Sequence, residues 1–412
     1  MAQSMRTSRK VFLALIAVTL VTLLMYYGAD RRWTGSRFDL GPCFRRAAGP
    51  KAKRTNVAFL KTHKTAGSTV QNILFRFAER NGLSVALPKQ RYCHTFNYPK
   101  AFSAHWVHPH TLPANIISNH MRFNGAEVRR LMPADARYVT ILREPAAMFE
   151  SLFGYYGQHA QAFRSVPGGS LDVFLEHPLR YYRPQDKRSN FARNTLTHDL
   201  GGDKDRPATD AAYARSFTAQ VERVFSLVMI AEYFDQSLVL LRHLLSWDLD
   251  DLVYVKLNMR VASSKRRLTP DLADKIRRWN WIDAHLYDHF NASLWRRLSA
   301  LGSACVEREV RLLRAAQEKL LRSCFGGRRP LPSLAGKIQN KDLRPWQPNA
   351  KVGILGYNLP ANLSGGLSSS TQDLCLKLIM PEIQYTKILL RSQSLRYCQN
   401  HQHCSPTSLS VQ

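Results

Sequence analysis

The sequence predicts an α/β fold: a central parallel sheet flanked by helices, preceded by one N-terminal transmembrane helix. Three observations carry that prediction. Apolar runs of strand length recur at residues 57–60, 116–118, 138–142 and 227–231, with helix-like segments between them at 69–80, 145–156 and 237–245. Strands alternating with helices build a parallel sheet covered on both faces. Two of these runs, 57–60 and 138–142, lead through a polar turn directly into a helix. Finally, residues 11–28 carry no charge and follow the basic Arg6, Arg9 and Lys10.

The N-terminal elements come first. A helix over 11–28 is about 27 Å long, enough for a thin bilayer, and Tyr26 and Tyr27 suit its interface. The rival, a cleaved signal peptide, needs small residues where these tyrosines stand. We therefore expect an uncleaved anchor with residues 1–10 in the cytosol and the body in the lumen, although Arg31 and Arg32 weaken the charge asymmetry. Residues 29–54 lack periodicity and are expected to form a stem. The folded domain is expected over 55–391, largely helical after residue 271, and the polar 392–412 as a disordered tail. Cys398, His401, His403 and Cys404 in that tail match no zinc spacing. Two sequons, at Asn291 and Asn362, agree with a lumenal body. Seven cysteines in an oxidising lumen leave one unpaired or bridging two chains. Cys43 in the stem is the candidate for such a bridge, hence for a homodimer.

Composition bounds the rest. Of 412 residues, 45% are hydrophobic and 22% charged, which excludes wholesale disorder. The formal net charge of +29 predicts a field that gathers anions, without separating nucleotide, acidic glycan, nucleic acid and membrane surface.

The first strand–turn–helix junction reads FLKTHKTAGSTVQNILFRF. Val70, Ile73, Leu74 and Phe77 share a helical face, so the helix is anchored and its N-terminus points at the turn. Free N–H groups there attract phosphate. Lys64 precedes Gly67, whereas a Walker A loop places its lysine after the second glycine, so a nucleoside triphosphate is disfavoured. A solvated basic turn capped by Ser68 or Thr69 explains this segment about equally well. The second junction, YVTILREPAAMFESLFGYY, tips the balance. Arg143 ends the strand, Pro145 suits the first helical turn, and Ser151 lies two turns on. A guanidinium fork with a hydroxyl can hold a second phosphate. The alternative is a surface ion pair of Arg143 with Glu144 or Glu150.

Lys64-Thr65-Ala66-Gly67-Ser68-Thr69 resembles the 5′-phosphosulfate loop of sulfotransferases that use 3′-phosphoadenosine 5′-phosphosulfate (PAPS). Arg143 and Ser151 match their 3′-phosphate motif. LKTHKTAGSTVQNILFRFAE, SNHMRFN, TILREPAAMFES, IAEYFDQSLVLL, LYDHFNASLWR and ILGYNLP resemble, more narrowly, the galactose-3-O-sulfotransferase family over roughly residues 56–391. The resemblance implies a P-loop-like sulfotransferase fold, PAPS as donor and a terminal-galactose glycan, not nucleic acid, as partner. It also implies a single-pass type II protein of the Golgi membrane with a lumenal catalytic domain. The cerebroside-sulfating member has serine where this chain has Gly67, which favours glycoprotein N-acetyllactosamine acceptors over glycolipids. A uronyl 2-O-sulfotransferase is a related alternative.

The resemblance also places His120, in IISNHMRF, at the family's catalytic histidine, and an imidazole near neutrality suits removal of a hydroxyl proton. His63, inside the donor loop, ranks second. Lys64 is expected to stabilise charge on the leaving oxygen. Thr65, Gly67, Ser68 and Thr69 are expected to hold the 5′-phosphate, with Lys61 adding charge or facing solvent. Asn194, His198 and Asp199 are candidates for bonding the sugar, or else form a helix end stopped by Gly201 and Gly202. Lys256, Asn258 and Arg260 are a further nucleotide-binding candidate, or a solvated basic strand. No carboxylate cluster suggests a metal, and none is expected to be essential. A lumenal kinase and a non-catalytic glycan-binding protein are the competing classes. Magnesium-holding carboxylates near the loop would favour the first, and loss of Lys64 or His120 the second.

Overall fold

The computed structural model describes residues 52–90, 93–349, 352–360 and 367–400. The expected anchor, most of the stem, Cys43 and the Asn362 sequon lie outside these residues. Among the described residues, no helix is long and apolar enough to cross a membrane.

The apolar runs become strands β1 (Val57–Leu60), β3 (Ile116–Ile117), β4 (Arg137–Leu142) and β5 (Leu227–Ile230). Every residue of β1 and β5 is buried, as a parallel sheet covered on both faces requires. A fifth strand, β2 (Val85–Ala86), joins them. The order is β2-β3-β1-β4-β5, and every pairing is parallel. The chain thus fills one side of β1 and then crosses to the other. Such a switch point opens a crevice outside the carboxyl ends of the strands.

Helix α1 (Gly67–Arg80) follows β1, α2 (Pro145–Tyr156) follows β4, and the short α3 (Thr195–Asp199) precedes α4 (Phe234–Leu245), which follows β5. Val70, Ile73, Leu74 and Phe77 of α1 are each at most 1% exposed, and Phe77 stacks on Trp247 at 3.7 Å. Pro145 opens α2, where its missing N–H costs nothing, and the Glu144 carboxylate accepts from Ala147 N–H at 2.8 Å. The expected helical region follows as α5 (Pro270–Trp279), α6 (Trp281–Leu301) and α7 (Ser303–Cys324), then α8 (Ser369–Leu378) and α9 (Glu382–Asn400).

Two features depart from expectation. A three-stranded antiparallel sheet of β6 (Met259–Arg260), β8 (Ile354–Gly356) and β7 (Ser333–Leu334) stands beside the main one. And α9 runs to Asn400, well past residue 392. Its Gln393 side chain accepts from Val85 N–H at 2.7 Å and donates to Val85 carbonyl at 3.1 Å, closing the exposed edge of β2. Cys324 and Cys375 form a disulfide joining α7 to α8, and Cys93 is a free, exposed thiol.

Candidate active site

The carboxyl ends of β1, β3 and β4 open onto one cleft of about 880 Å³. Its lining includes Lys61, His63, Lys64, Thr65, Gly67, Ser68, Thr69, His120, Arg143 and Ser151. Side chains from three strand ends, separate in sequence, are therefore neighbours in space.

The loop after β1 is built to turn its backbone sharply. Lys64 and Ala66 have φ of 60° and 69°, a left-handed conformation that non-glycine residues adopt rarely and mostly at functional sites. Thr65 is fully buried, and its hydroxyl donates to Thr62 carbonyl at 3.1 Å. Thr62 in turn donates to Ile141 carbonyl, pinning the loop to β4. Thr69 Oγ1 accepts from Leu257 N–H at 3.2 Å. The N-cap residue of α1, Ala66, makes no side-chain capping bond, which leaves that helix end open to an anion. Gly67 has a steric reason: a Cβ there would stand 2.7 Å from Lys61 Cγ.

The two lysines of the loop have different surroundings. Lys61 is buried, donates to Gln71 Oε1 at 2.9 Å and pairs with Glu382 at the start of α9. The Ser68 hydroxyl donates to the same Glu382 oxygen at 2.6 Å. Burial alone would raise the Glu382 carboxyl, but Lys61, His94 and Ser68 hold it down to about 2. Lys64 instead places its ammonium 3.6 Å from the centre of the Tyr155 ring. Burial and the nearby Arg260 and Arg143 push its pKa down to about 7.

Arg143 donates to Lys64 carbonyl at 3.1 Å, which joins the two junctions directly. Glu144 pairs with Arg277, and Glu150 with Arg260. Ser151 is buried one turn before Tyr155 on the cleft face of α2. Lys256, Asn258 and Arg260 also line the cleft; Arg260 sits in β6 and is 7% exposed, not solvated.

A second wall carries imidazoles and aromatic rings, His63 reaching it from the same loop as Lys64. His63 and His120 stack with ring centres 4.1 Å apart and planes 15° from parallel. His120 Nδ1 lies 3.0 Å from Lys61 carbonyl, and His63 Nδ1 lies 2.9 Å from Asp199 Oδ2. Burial, followed by His63, Lys61 and His94, holds the His120 imidazole well below its ordinary pKa. Tyr98, Tyr156 and Phe191 complete this wall, the last two stacked at 3.9 Å.

The remaining candidates lie elsewhere. Asn194 is fully buried among backbone groups: its amide donates to Lys204 carbonyl at 2.8 Å and its oxygen accepts from Ile282 N–H at 3.2 Å. It belongs to the packing of α3 against α6. His198 is outside the cleft lining, with its imidazole pushed down to about 4 by burial. Asp199 is also outside the lining, directly behind His63. Asn291 sits in the middle of α6, with Ser293 of its sequon 9% exposed. Among the described residues, no group of three or more His, Cys, Asp or Glu side chains is arranged to hold a metal ion.

Sequence reasoning missed Glu382, Tyr98 and Tyr155. Tyr155 had a signal, since it follows Ser151 by four residues on a predicted helix and so shares its face. Glu382 and Tyr98 had none, because they reach the site only through tertiary packing.

Fold and cleft together define an α/β protein with a cationic anion loop and paired imidazoles lining one crevice, the equipment of a group-transfer enzyme. Comparison with known proteins narrows the class. A family model described as galactose-3-O-sulfotransferase matches residues 1–393. Galactose-3-O-sulfotransferase 3 of Mus musculus is 56% identical over 394 residues, spanning 95% of this chain and 90% of its own. Galactose-3-O-sulfotransferase 2 of Sus scrofa is 46% identical over 354 residues, 84% of this chain and 86% of its own. Galactosylceramide sulfotransferase of Homo sapiens is 42% identical over 342 residues, 82% of this chain and 79% of its own. The chain belongs to the galactose-3-O-sulfotransferase family and is a PAPS-dependent carbohydrate sulfotransferase.

Proposed function

We propose that the enzyme transfers a sulfuryl group from PAPS to the 3-hydroxyl of a terminal β-galactose on N-acetyllactosamine-type glycans of glycoproteins. We place it in the Golgi membrane as a single-pass type II protein with its catalytic domain in the lumen. One observation supports the reaction most: Lys64, Arg143 and the His63–His120 pair, from three strand ends, line a single cleft.

The residues fit the donor. A 5′-phosphosulfate suits a loop with left-handed turns at Lys64 and Ala66, a glycine whose Cβ would crowd the Lys61 side chain, and an uncapped helix N-terminus. A 3′-phosphate suits the Arg143 guanidinium with Ser151 nearby. PAPS, when bound, supplies an activated sulfuryl group. The chain supplies charge, position and a proton acceptor, by analogy with phosphoryl transfer, where positioning and electrostatics dominate. Lys64 holds positive charge where the leaving oxygen becomes negative. Gly67, Ser68 and Thr69 offer backbone amides, and Thr69 its hydroxyl, to the 5′-phosphate, while Thr65 keeps the loop in shape and the Ser68 hydroxyl is bonded to Glu382. The galactose proton goes to one of the two stacked imidazoles, His120 or His63.

The acceptor assignment draws on the 56% identity to a protein named galactose-3-O-sulfotransferase 3, against 42% to one named galactosylceramide sulfotransferase. Labelled sulfate transfer to a panel of terminal-galactose glycans, with galactosylceramide beside them, tests it. Preference for the glycolipid overturns the glycoprotein assignment. Stabilisation against heat by ATP with magnesium, but not by adenosine 3′,5′-bisphosphate, overturns the donor.

A further inference from the structure

We propose that Asp199 is a positioning residue that fixes His63 as the imidazole receiving the acceptor's proton. This rests on the sulfuryl-transfer reading above and goes beyond it in choosing between two bases, reversing the order in which the resemblance ranks His120 before His63.

The hydrogen-bond network assigns the tautomers. A peptide carbonyl only accepts, so His120 Nδ1, facing Lys61 carbonyl at 3.0 Å, carries its hydrogen. An ionised carboxylate only accepts, so His63 Nδ1, 2.9 and 3.1 Å from the two Asp199 oxygens, carries one too. Each ring therefore keeps its lone pair on Nε2. The difference appears once a proton arrives. Rings stacked at 4.1 Å cannot both become cations without strong repulsion, so one of them holds the charge. Asp199 offers the imidazolium of His63 a full negative charge. His120 has only a carbonyl dipole, and it faces the Lys61 ammonium and His94, which oppose a second cation.

Asp199 is also held so that it cannot turn away. It is fully buried at the end of α3. It accepts from His63 backbone N–H at 2.8 Å and from Tyr98 hydroxyl at 2.7 Å, and Asn190 donates to that hydroxyl at 2.8 Å. The start of α3 is fixed in turn by Asp283, which accepts from Leu196 and Thr197 N–H. His63 itself is enclosed by Asp199, Tyr98, Phe191, Tyr156 and His120, with His94 and His198 as the next titratable neighbours. In the step, the galactose O–H bond breaks and its oxygen bonds to sulfur. The sulfur–oxygen bond to the nucleotide breaks, and its electron pair stays on the departing bisphosphate. The proton goes to His63 Nε2. A buried carboxylate orienting a histidine and stabilising its charged form is the arrangement other hydroxyl-activating sites use.

The test is a pH–rate profile with donor saturating, for wild type, Asp199→Asn, Asp199→Glu, Tyr98→Phe, His63→Gln and His120→Gln, with adenosine 3′,5′-bisphosphate affinity measured calorimetrically. Asp199→Asn should lower turnover about 10²–10⁴-fold, the range of a general base, with bisphosphate affinity nearly unchanged. The acidic limb should move to lower pH, and Asp199→Glu should restore part of the rate. Tyr98→Phe removes one donor from Asp199, so its limb should move to higher pH. This milder variant decides the matter should Asp199→Asn lose bisphosphate binding, and an unmoved limb in it then overturns the assignment. Wild-type turnover and limb in Asp199→Asn overturn it too, as does a limb that survives His63→Gln but vanishes in His120→Gln. A wild type that transfers no sulfate to any terminal galactose overturns the transfer reading itself.

Discussion

The two walls of the cleft handle charge in opposite ways. On the donor wall, burial first, and then repulsion from Arg260 and Arg143, lowers the Lys64 pKa to about 7. On the acceptor wall, burial and cationic neighbours hold the His120 imidazole well below its ordinary pKa, His63 pairs with the buried Asp199, and the rest is largely aromatic. The enzyme thus stores unfavourable positive charge where an anion must bind, and keeps its imidazoles beside a buried carboxylate where a neutral sugar must lie. An anion on the donor wall relieves repulsion that is already present, which favours it over a neutral ligand.

The largest effect should come from removing the charge nearest the broken bond. Lys64→Ala should reduce turnover about 10²–10³-fold, as loss of one transition-state donor does, while bisphosphate still binds, more weakly. Near-normal turnover in the purified variant would erase the distinction between the walls. Arg143→Ala should act on binding instead, weakening bisphosphate affinity about 10–100-fold with a smaller change in saturated turnover. Ser151→Ala should cost about two- to tenfold in the same calorimetric measurement.

A subtler effect follows from the lowered Lys64 pKa. In the free enzyme Lys64 loses its proton as pH rises through about 7. A bound polyanion favours the ammonium, so binding above that pH must take up a proton, and affinity must fall as pH rises. Calorimetry in buffers of different ionisation enthalpy measures this uptake, and Lys64→Met should abolish it. Uptake that persists in the variant places the titrating group elsewhere. The smallest expected effect is none at all: because side-chain cations compensate the donor's charge, chelation with EDTA should leave transfer unchanged.

Legibility in the sequence followed contiguity. Strand, turn and helix at 57–80 and 137–156 are continuous segments, so periodicity located them, and with them Lys64, Arg143 and Ser151. His63 and His120 were legible for the same reason, each lying just beyond an apolar strand. Strands of two residues, such as Val85–Ala86 and Met259–Arg260, are too short to show a period of two. Asn194 and Asp199 stand five residues apart with similar polarity, yet one caps packing inside the core and the other braces His63. Only tertiary neighbours separate them. The segment after 392 looked disordered because it is polar, but its Gln393 is polar in order to close a strand edge.

Glu382 carries a consequence for how the protein is made. The loop at 61–66 is synthesised early, yet its Lys61 ammonium, buried at 2% exposure, meets its carboxylate partner only across 321 residues of chain. A buried cation without that partner is costly. The loop made early is therefore completed only once residue 382 has left the ribosome. Until then the nascent chain contains every donor-loop residue but not the finished loop, and a chain that stops before Pro381 never acquires it.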